Sequence, residues 1–188
     1  MGNKKGGSFE REVSKQLSLW ITNGERDDVF WRTHGSGARH TVRFQKGKET
    51  AGQDGDIQST HPLGEEFRNI FSIECKFYKD LNLWSIITGA KDFSIYQYWK
   101  DTIEVSERVN KEPLLIAKQN NKPVLFVVSR LMELHIRSAG LMPKFKFCLG
   151  TGEEAAAFIF DEIKENIKAD VLIKKILIHK NAVEKKDE

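Results

Sequence analysis

Residues 54–78 read DGDIQSTHPLGEEFRNIFSIECKFY, and the second half of this stretch alternates between apolar and polar residues. The apolar positions of the alternation are Phe71, Ile73, Cys75 and Phe77. A period of two is typical of a β-strand with one buried face. Glu74 and Lys76 would then point to the same side of the strand, about 6.5–7 Å apart along it. The pattern predicts a strand over residues 71–78 whose polar face carries a carboxylate and an ammonium group.

A third charged residue, Asp56, stands before Ile57 where a preceding strand would begin. We expect that strand to pair beside the 71–78 strand, across a hairpin turn at residues 61–68. Two carboxylates suit Mg²⁺, which prefers hard oxygen ligands and lowers the pKa of a bound water. A lysine beside them can orient the attacking water or stabilise the transition state. The alternative is a solvated strand face on which Glu74 and Lys76 are an exposed polar pair, and their spacing alone favours that alternative.

The length and composition predict one domain with a substantial core. The chain has 188 residues, of which 39% are hydrophobic and 30% charged. We expect this domain to span residues 1–183 and to be followed by a charged tail over 184–188. The net charge of +3 does not indicate a nucleic-acid partner, but residues 1–48 hold ten Lys and Arg against five Asp and Glu. A basic front end is compatible with a phosphate backbone and equally with a solvated surface.

The cysteines and histidines point to no metal site of their own. Cys75 and Cys148 form neither a disulfide framework nor a zinc-ligand set, and the five histidines show no ligand spacing. No apolar run approaches the length of a membrane span, and the start shows no signal-peptide pattern. These observations predict a reduced, cytoplasmic protein without a membrane partner.

Residues 8–21 predict the first helix, with Ser8 as N-cap and Asn23 and Gly24 as its end. Glu10 borders the apolar stripe of this helix, and taken alone it is an acid that favours the helix dipole. A short strand over residues 29–33 follows. Residues 34–53 then form a long, basic connection rich in glycine, which is either a DNA-contacting loop or a flexible surface flap.

The second half predicts a helix over residues 92–109, strands over 113–118 and 123–129, another strand over 144–150, and a helix over 153–167. The aromatic stripe of the first of these helices is interpreted as core rather than as a platform for nucleobases. Lys118 and Lys122 could face DNA, although solvation of a turn is the favoured interpretation. Residues 131–138 give a weak signal, and residues 171–178 are ambiguous between helix and strand.

Four segments taken in order resemble the PD-(D/E)xK nuclease superfamily, most of all the archaeal-type Holliday junction resolvases and their phage relatives. They are GSFEREVSKQL (7–17), FWRTHGSG (30–37), GDI (55–57) and FSIECK (71–76). The resemblance covers roughly residues 6–80, and it implies a restriction-endonuclease-like α/β fold, a mixed β-sheet core flanked by helices. Residues 81–183 are expected to complete the sheet and its helices.

The resemblance also implies roles for individual residues. It makes Asp56 and Glu74 ligands of Mg²⁺, for which Mn²⁺ is expected to substitute, with the carbonyl of Cys75 as a further ligand. It makes Glu10 an accessory acid of the metal site and Lys76 the catalytic lysine. It makes Arg32, which precedes a Ser/Gly turn with Ser36, a phosphate-contacting residue. In the 34–53 connection, Arg39, Arg43, Lys46 and Lys48 are predicted to bind DNA from their positive charge.

The segment around Asp56 departs from the family pattern at one position. Gly55 stands where the family name has proline, which leaves Asp54 as a rival ligand. We prefer Asp56 because it borders Ile57 and so lies at the mouth of a strand.

Three classes of function are compatible with the sequence. The first is a Mg²⁺-dependent DNA endonuclease acting on branched or duplex DNA. It is either resolvase-like, which would require a homodimer, or of a restriction or repair type. The second is a catalytically silent DNA-binding domain of the same fold. The third is a structural or interaction protein. The intact Asp, Glu and Lys set disfavours the second, and the basic, glycine-rich connection disfavours the third.

Overall fold

The computed structural model describes residues 2–33, 55–81, 94–149 and 152–184. Within these ranges the helices are α1 (Gly2–Ile21), α2 (Pro62–Ile70), α3 (Ser94–Arg108), α4 (Arg130–Ser138), α5 (Phe160–Asn166) and α6 (Ala169–Glu184). The strands are β1 (Phe30–Arg32), β2 (Ile57–Ser59), β3 (Phe71–Tyr78), β4 (Glu112–Gln119), β5 (Leu125–Ser129), β6 (Phe145–Cys148) and β7 (Glu154–Ile159). Each of the described helices is too short or too polar to cross a bilayer.

Five of the strands form a mixed sheet in the order β3-β4-β5-β7-β6. β3 is parallel to β4, whereas the other three pairs are antiparallel. A parallel pair requires a crossover connection, and α3 lies on that connection and packs against both strands. β3, which carries Glu74 and Lys76, is therefore an edge strand of the sheet.

Alternate side chains of the sheet enter two separate apolar clusters, one on each face. On one face, Ile73 and Cys75 pack with residues of α1 such as Phe9 and Leu17. On the other face, Leu115 and its neighbours pack with residues of α3, which include Trp99. The mixed sheet with helices on both faces confirms the predicted α/β architecture and is consistent with a restriction-endonuclease-like fold.

β1 and β2 form a separate antiparallel ribbon, in which Arg32 is the partner of Ile57. The predicted hairpin between β2 and β3 is wrong, because residues 62–70 form α2 and β2 pairs with β1 instead. The histidine and proline that suggested a turn begin this helix. His61 Nδ1 accepts a hydrogen bond from Leu63 N at 3.2 Å, and Pro62 occupies the first turn, where its missing N–H is no disadvantage.

α1 begins earlier than predicted but ends where predicted. Ser8 lies inside the helix, so its assignment as the N-cap is wrong. At the other end, Asn23 and Gly24 have φ values of 51° and 92°. Gly24 N donates to Leu19 O at 2.7 Å, which satisfies one of the last helical carbonyls.

Most of the predicted elements in the second half are confirmed. β4, β5 and β6 correspond to the three predicted strands, and α3 corresponds to the helix predicted over 92–109, of which residues 92 and 93 lie outside the described ranges. The weak segment 131–138 belongs to α4, and the ambiguous segment 171–178 belongs to α6.

The helix predicted over residues 153–167 is wrong in its first half. Residues 154–159 form β7, which lies between β5 and β6, and only residues 160–166 are helical. Ala155, Ala156 and Ala157 favour a helix intrinsically, yet all three are buried here. Because β7 has a strand on each side, its backbone is paired along both edges, and this tertiary context overrides the local preference.

Candidate active site

Asp56 docks on the edge of β3 that lies opposite β4. Its backbone N–H donates to Ile73 O at 2.7 Å, and its carboxylate oxygen Oδ2 accepts from Cys75 N at 2.9 Å. In a strand, the N–H and C=O groups of successive residues point to opposite edges. Those of Ile73 and Cys75 therefore both point to the edge on which Asp56 lies. The carbonyl of Cys75 therefore faces the same side as the Asp56 carboxylate.

The approach of Asp56 to β3 depends on Gly55. Gly55 has a φ of +85°, and a Cβ on it would lie 2.6 Å from Ile73 O. Glycine alone combines this backbone conformation with so close an approach. A proline has φ near −65° and could not take this conformation. The departure from the family pattern at this position is thus a requirement of the way Asp56 docks in this chain.

Glu74 and Lys76 form an ion pair on β3, with Lys76 Nζ 3.1 Å from Glu74 Oε2. Their side chains are only 14% and 26% exposed, respectively. Burial and the negative charge of Asp56, which also hydrogen-bonds to Glu74, raise the pKa of Glu74 to about 7. Burial lowers the pKa of Lys76, but the charges of Glu74 and Asp56 outweigh it and raise the pKa to about 12. Lys76 is therefore a cation at neutral pH.

The side chain of Cys75 lies apart from this chemistry. It enters the apolar cluster beside α1, and burial raises the pKa of its thiol well above the usual value. The thiol is thus neutral, and only the backbone of Cys75 is available to the site.

α1 and β1 bring a second ion pair to the site. Glu10 Oε2 lies 3.5 Å from Arg32 Nη1. Burial and the nearby charge of Asp56 raise the pKa of Glu10, while Arg32 and Lys76 act in the opposite direction. The guanidinium of Arg32 passes over Gly7, where a Cβ would collide with Nη1. The absence of a side chain at Gly7 therefore makes room for Arg32.

The structure places four predicted residues, Glu10, Asp56, Glu74 and Lys76, within electrostatic reach of one another, and Arg32 at the side of the group. The remaining predicted DNA-binding residues, which are Ser36, Arg39, Arg43, Lys46 and Lys48, lie outside the described residues, as does the rival ligand Asp54.

The donor set suits a hard divalent cation. Asp56 and Glu74 offer carboxylate oxygens, and the Cys75 carbonyl faces the same edge. Burial and repulsion from Asp56 raise the pKa of Glu74, and a cation held by both carboxylates would relieve the repulsion. In the part of the chain that the structure describes, no cluster of three or more His, Cys, Asp and Glu side chains is arranged to hold a metal.

Two features of the site were not anticipated from the sequence. The first is Gly7. Its contact with Arg32 distinguishes it from the other glycines, and the sequence does not show this contact. The second lies beside the site: Lys118, within the predicted strand 113–118, contacts α1 instead of solvating the turn that follows. Its Nζ lies 3.2 Å from Glu12 Oε1 and 5.6 Å from the centre of the Phe9 ring. Its place at the end of an apolar strand was the signal that could have identified it.

A comparison with protein families gives one match. The family model described as "Phage putative PDDEXK endonuclease" matches residues 1–181. No curated protein and no solved structure matches the chain. The family match extends well beyond the four segments quoted above and includes the second half of the sheet.

Proposed function

The chain belongs to this family of phage PDDEXK endonucleases, and on that premise we propose that it is a Mg²⁺-dependent DNA endonuclease that cuts branched DNA in the manner of a Holliday junction resolvase. The observation that carries the proposal is the meeting of Asp56, Glu74 and Lys76 at one edge of the sheet. A nuclease that resolves a four-way junction needs two sites, so the proposal includes a homodimer.

Asp56, Glu74 and the carbonyl of Cys75 would hold the metal, and Mn²⁺ is expected to substitute for Mg²⁺. When bound, the ion would supply positive charge to the phosphate oxygens and acidify a water molecule. Glu10 is the proposed accessory acid of this site. The charges of Asp56 and Lys76 both affect the pKa of the Glu10 carboxylate, which supports that role.

Lys76 acts as a charge rather than as a base in this proposal. With its pKa raised to about 12, it keeps its proton at neutral pH. Its ammonium group can hydrogen-bond to the attacking water or to a phosphate oxygen and stabilise the negative charge that develops there. Glu74 holds it in place at 3.1 Å. In-line attack would leave a 5′-phosphate.

Arg32 would bind a neighbouring phosphate of the same strand. A guanidinium can bind a phosphate through two parallel hydrogen bonds, which fixes orientation as well as position. Glu10 and Gly7 support this placement from α1. The basic residues of segment 34–53 would extend this contact along the DNA backbone. We propose this role from their positive charge alone.

The test is cleavage of a labelled four-way junction, flap, linear duplex and single strand in Mg²⁺, Mn²⁺ or EDTA. We expect Mg²⁺-dependent cutting of the junction by the wild type and none by Glu74→Gln or Lys76→Met. Matched controls remove the same charges elsewhere, with Glu66→Gln in α2 and Lys174→Met in α6, and should cut normally. Preferred cutting of duplex would replace the resolvase by a restriction or repair nuclease, and DNA binding without cutting would indicate a silent domain.

A further inference from the structure

The strand that carries Glu74 and Lys76 ends in an exposed tyrosine. Tyr78 lies two residues beyond Lys76, on the same face of β3 and about 6.5–7 Å further along it. It is close enough to Lys76 to affect the pKa of that lysine. An aromatic side chain therefore stands immediately beside the proposed position of the phosphate.

A second tyrosine holds Tyr78 in place. Tyr98, in α3, stacks on it with ring centroids 4.7 Å apart and an angle of 15° between the ring planes. Tyr98 also hydrogen-bonds to Tyr78, and burial together with this bond raises the pKa of Tyr98. The two rings are thus fixed relative to each other.

Tyr78 remains accessible in spite of this contact. Its exposed fraction is 42%, although Tyr98 covers one face of its ring. Tyr98 therefore does not close the whole side chain of Tyr78 to solvent. A flat aromatic ring that is immobilised and partly exposed is a surface on which a nucleobase can stack. Such stacking does not depend on the identity of the base.

We propose that Tyr78, backed by Tyr98, is a stacking site for an unpaired nucleobase next to the scissile phosphate. Within a continuous duplex both faces of each base are covered by its neighbours, so a base can reach the ring only where pairing or stacking is interrupted. The inference rests on the proposed nuclease function and gives a physical reason for its choice of substrate. The enzyme would act at branch points, flaps and single-stranded segments in preference to intact duplex.

The first experiment detects stacking without cleavage. 2-Aminopurine is placed at successive positions of a flap and of a four-way junction, and its fluorescence is measured with the wild-type protein in Ca²⁺ in place of Mg²⁺. We expect strong quenching at one position and none along the paired arms. Uniform or absent quenching overturns the proposal.

Two variants of the tyrosine assign the quenching. Tyr78→Phe keeps the ring and should keep the quenching, whereas Tyr78→Leu keeps apolar bulk and should lose it. We expect Tyr78→Leu to bind the flap about tenfold more weakly and the intact duplex unchanged. Met142→Ala, which removes an exposed apolar side chain near the opposite edge of the sheet, should match the wild type. Equal flap binding by Tyr78→Leu and the wild type refutes the stacking site.

The two proposals can fail separately. Position-specific quenching that depends on Tyr78, with no cutting of any substrate in Mg²⁺, would leave a base-binding site on a protein that is not a nuclease. Cutting that requires Glu74, without quenching, would leave the nuclease and remove the stacking site. If Tyr78→Leu is poorly folded by circular dichroism, the scan with the wild type and Tyr78→Phe still decides, since absent or uniform quenching refutes the site.

Discussion

Glu74→Gln should make the metal-free protein more stable at alkaline pH while it abolishes cleavage. Folding places Glu74 among apolar atoms and beside Asp56, and this raises the pKa from 4.5 to about 7. The folded protein therefore binds more protons than the unfolded chain between these two pH values. Its free energy of unfolding falls as the pH rises through this window, and the loss is complete above pH 7.

The size of the effect follows from the shift. Each pKa unit corresponds to about 1.4 kcal/mol, so a displacement from 4.5 to about 7 gives about 3 kcal/mol between pH 4.5 and 8. Glutamine has a similar shape and no proton to lose, so the variant lacks this dependence. The difference in unfolding free energy between the variant and the wild type should shift by about 3 kcal/mol in favour of the variant across the window.

The assay is urea unfolding in EDTA at pH 5, 6, 7 and 8, followed by far-ultraviolet circular dichroism. Glu66→Gln, an exposed change in α2, is the control and should run parallel to the wild type. Added Mg²⁺ at pH 8 should stabilise the wild type and leave Glu74→Gln unchanged. The difference in unfolding free energy between Glu74→Gln and the wild type could instead be the same at all four pH values. That result would refute the view that burial and Asp56 raise the pKa of this carboxylate.

Three further substitutions test the contacts around the site and in the sheet. Gly7→Ala should displace the guanidinium above it and weaken DNA binding in a filter or anisotropy assay, whereas Gly6→Ala, whose Cβ has room, should leave binding unchanged and stabilise α1 by up to about 1 kcal/mol. Gly55→Ala should lower the unfolding free energy by more than about 2 kcal/mol, because its Cβ would collide with a backbone carbonyl. Gly24→Ala, with similar φ but open space, should lower it by about 1 kcal/mol in the same urea titration. Glu133→Ala, which removes a buried carboxylate paired with three basic side chains, should lower the melting temperature and cost about 2 kcal/mol.

The sequence predicted those parts of the fold whose pattern is local and strong. β3 has the bounds that its alternation indicated, since a strand with one buried face has a period of two. Two of the errors arose where local signals had two meanings. His61 and Pro62 suit a turn and a helix start equally well, and the alanines of β7 favour a helix until strands lie on both sides of them.

The candidate site also has a part that could be predicted from the sequence and a part that could not. The proximity of Asp56, Glu74 and Lys76 could be predicted from the order of the segments that resemble the nuclease superfamily, and the structure brings the three residues together. Their roles in a metal site stay a prediction. The contact of Gly7 with Arg32 could not be predicted, and neither could the stacking of Tyr78 on Tyr98, because each joins segments that are distant along the chain. Nothing in a linear pattern specifies such distances.

The docking of Asp56 on β3 bears on aggregation. Among the described residues no strand pairs with the outer edge of β3, and unpaired backbone groups at such an edge can recruit a strand from another molecule. The backbone N–H and the carboxylate of Asp56 hydrogen-bond to two such groups of β3. Asp56 therefore disfavours pairing of β3 with a strand of another molecule. Asp56→Ala would keep the backbone hydrogen bond to Ile73 O but lose the one that the carboxylate accepts from Cys75 N. Asp56→Asn keeps an oxygen that can accept from Cys75 N, and it is the safer route to an inactive protein that stays in solution.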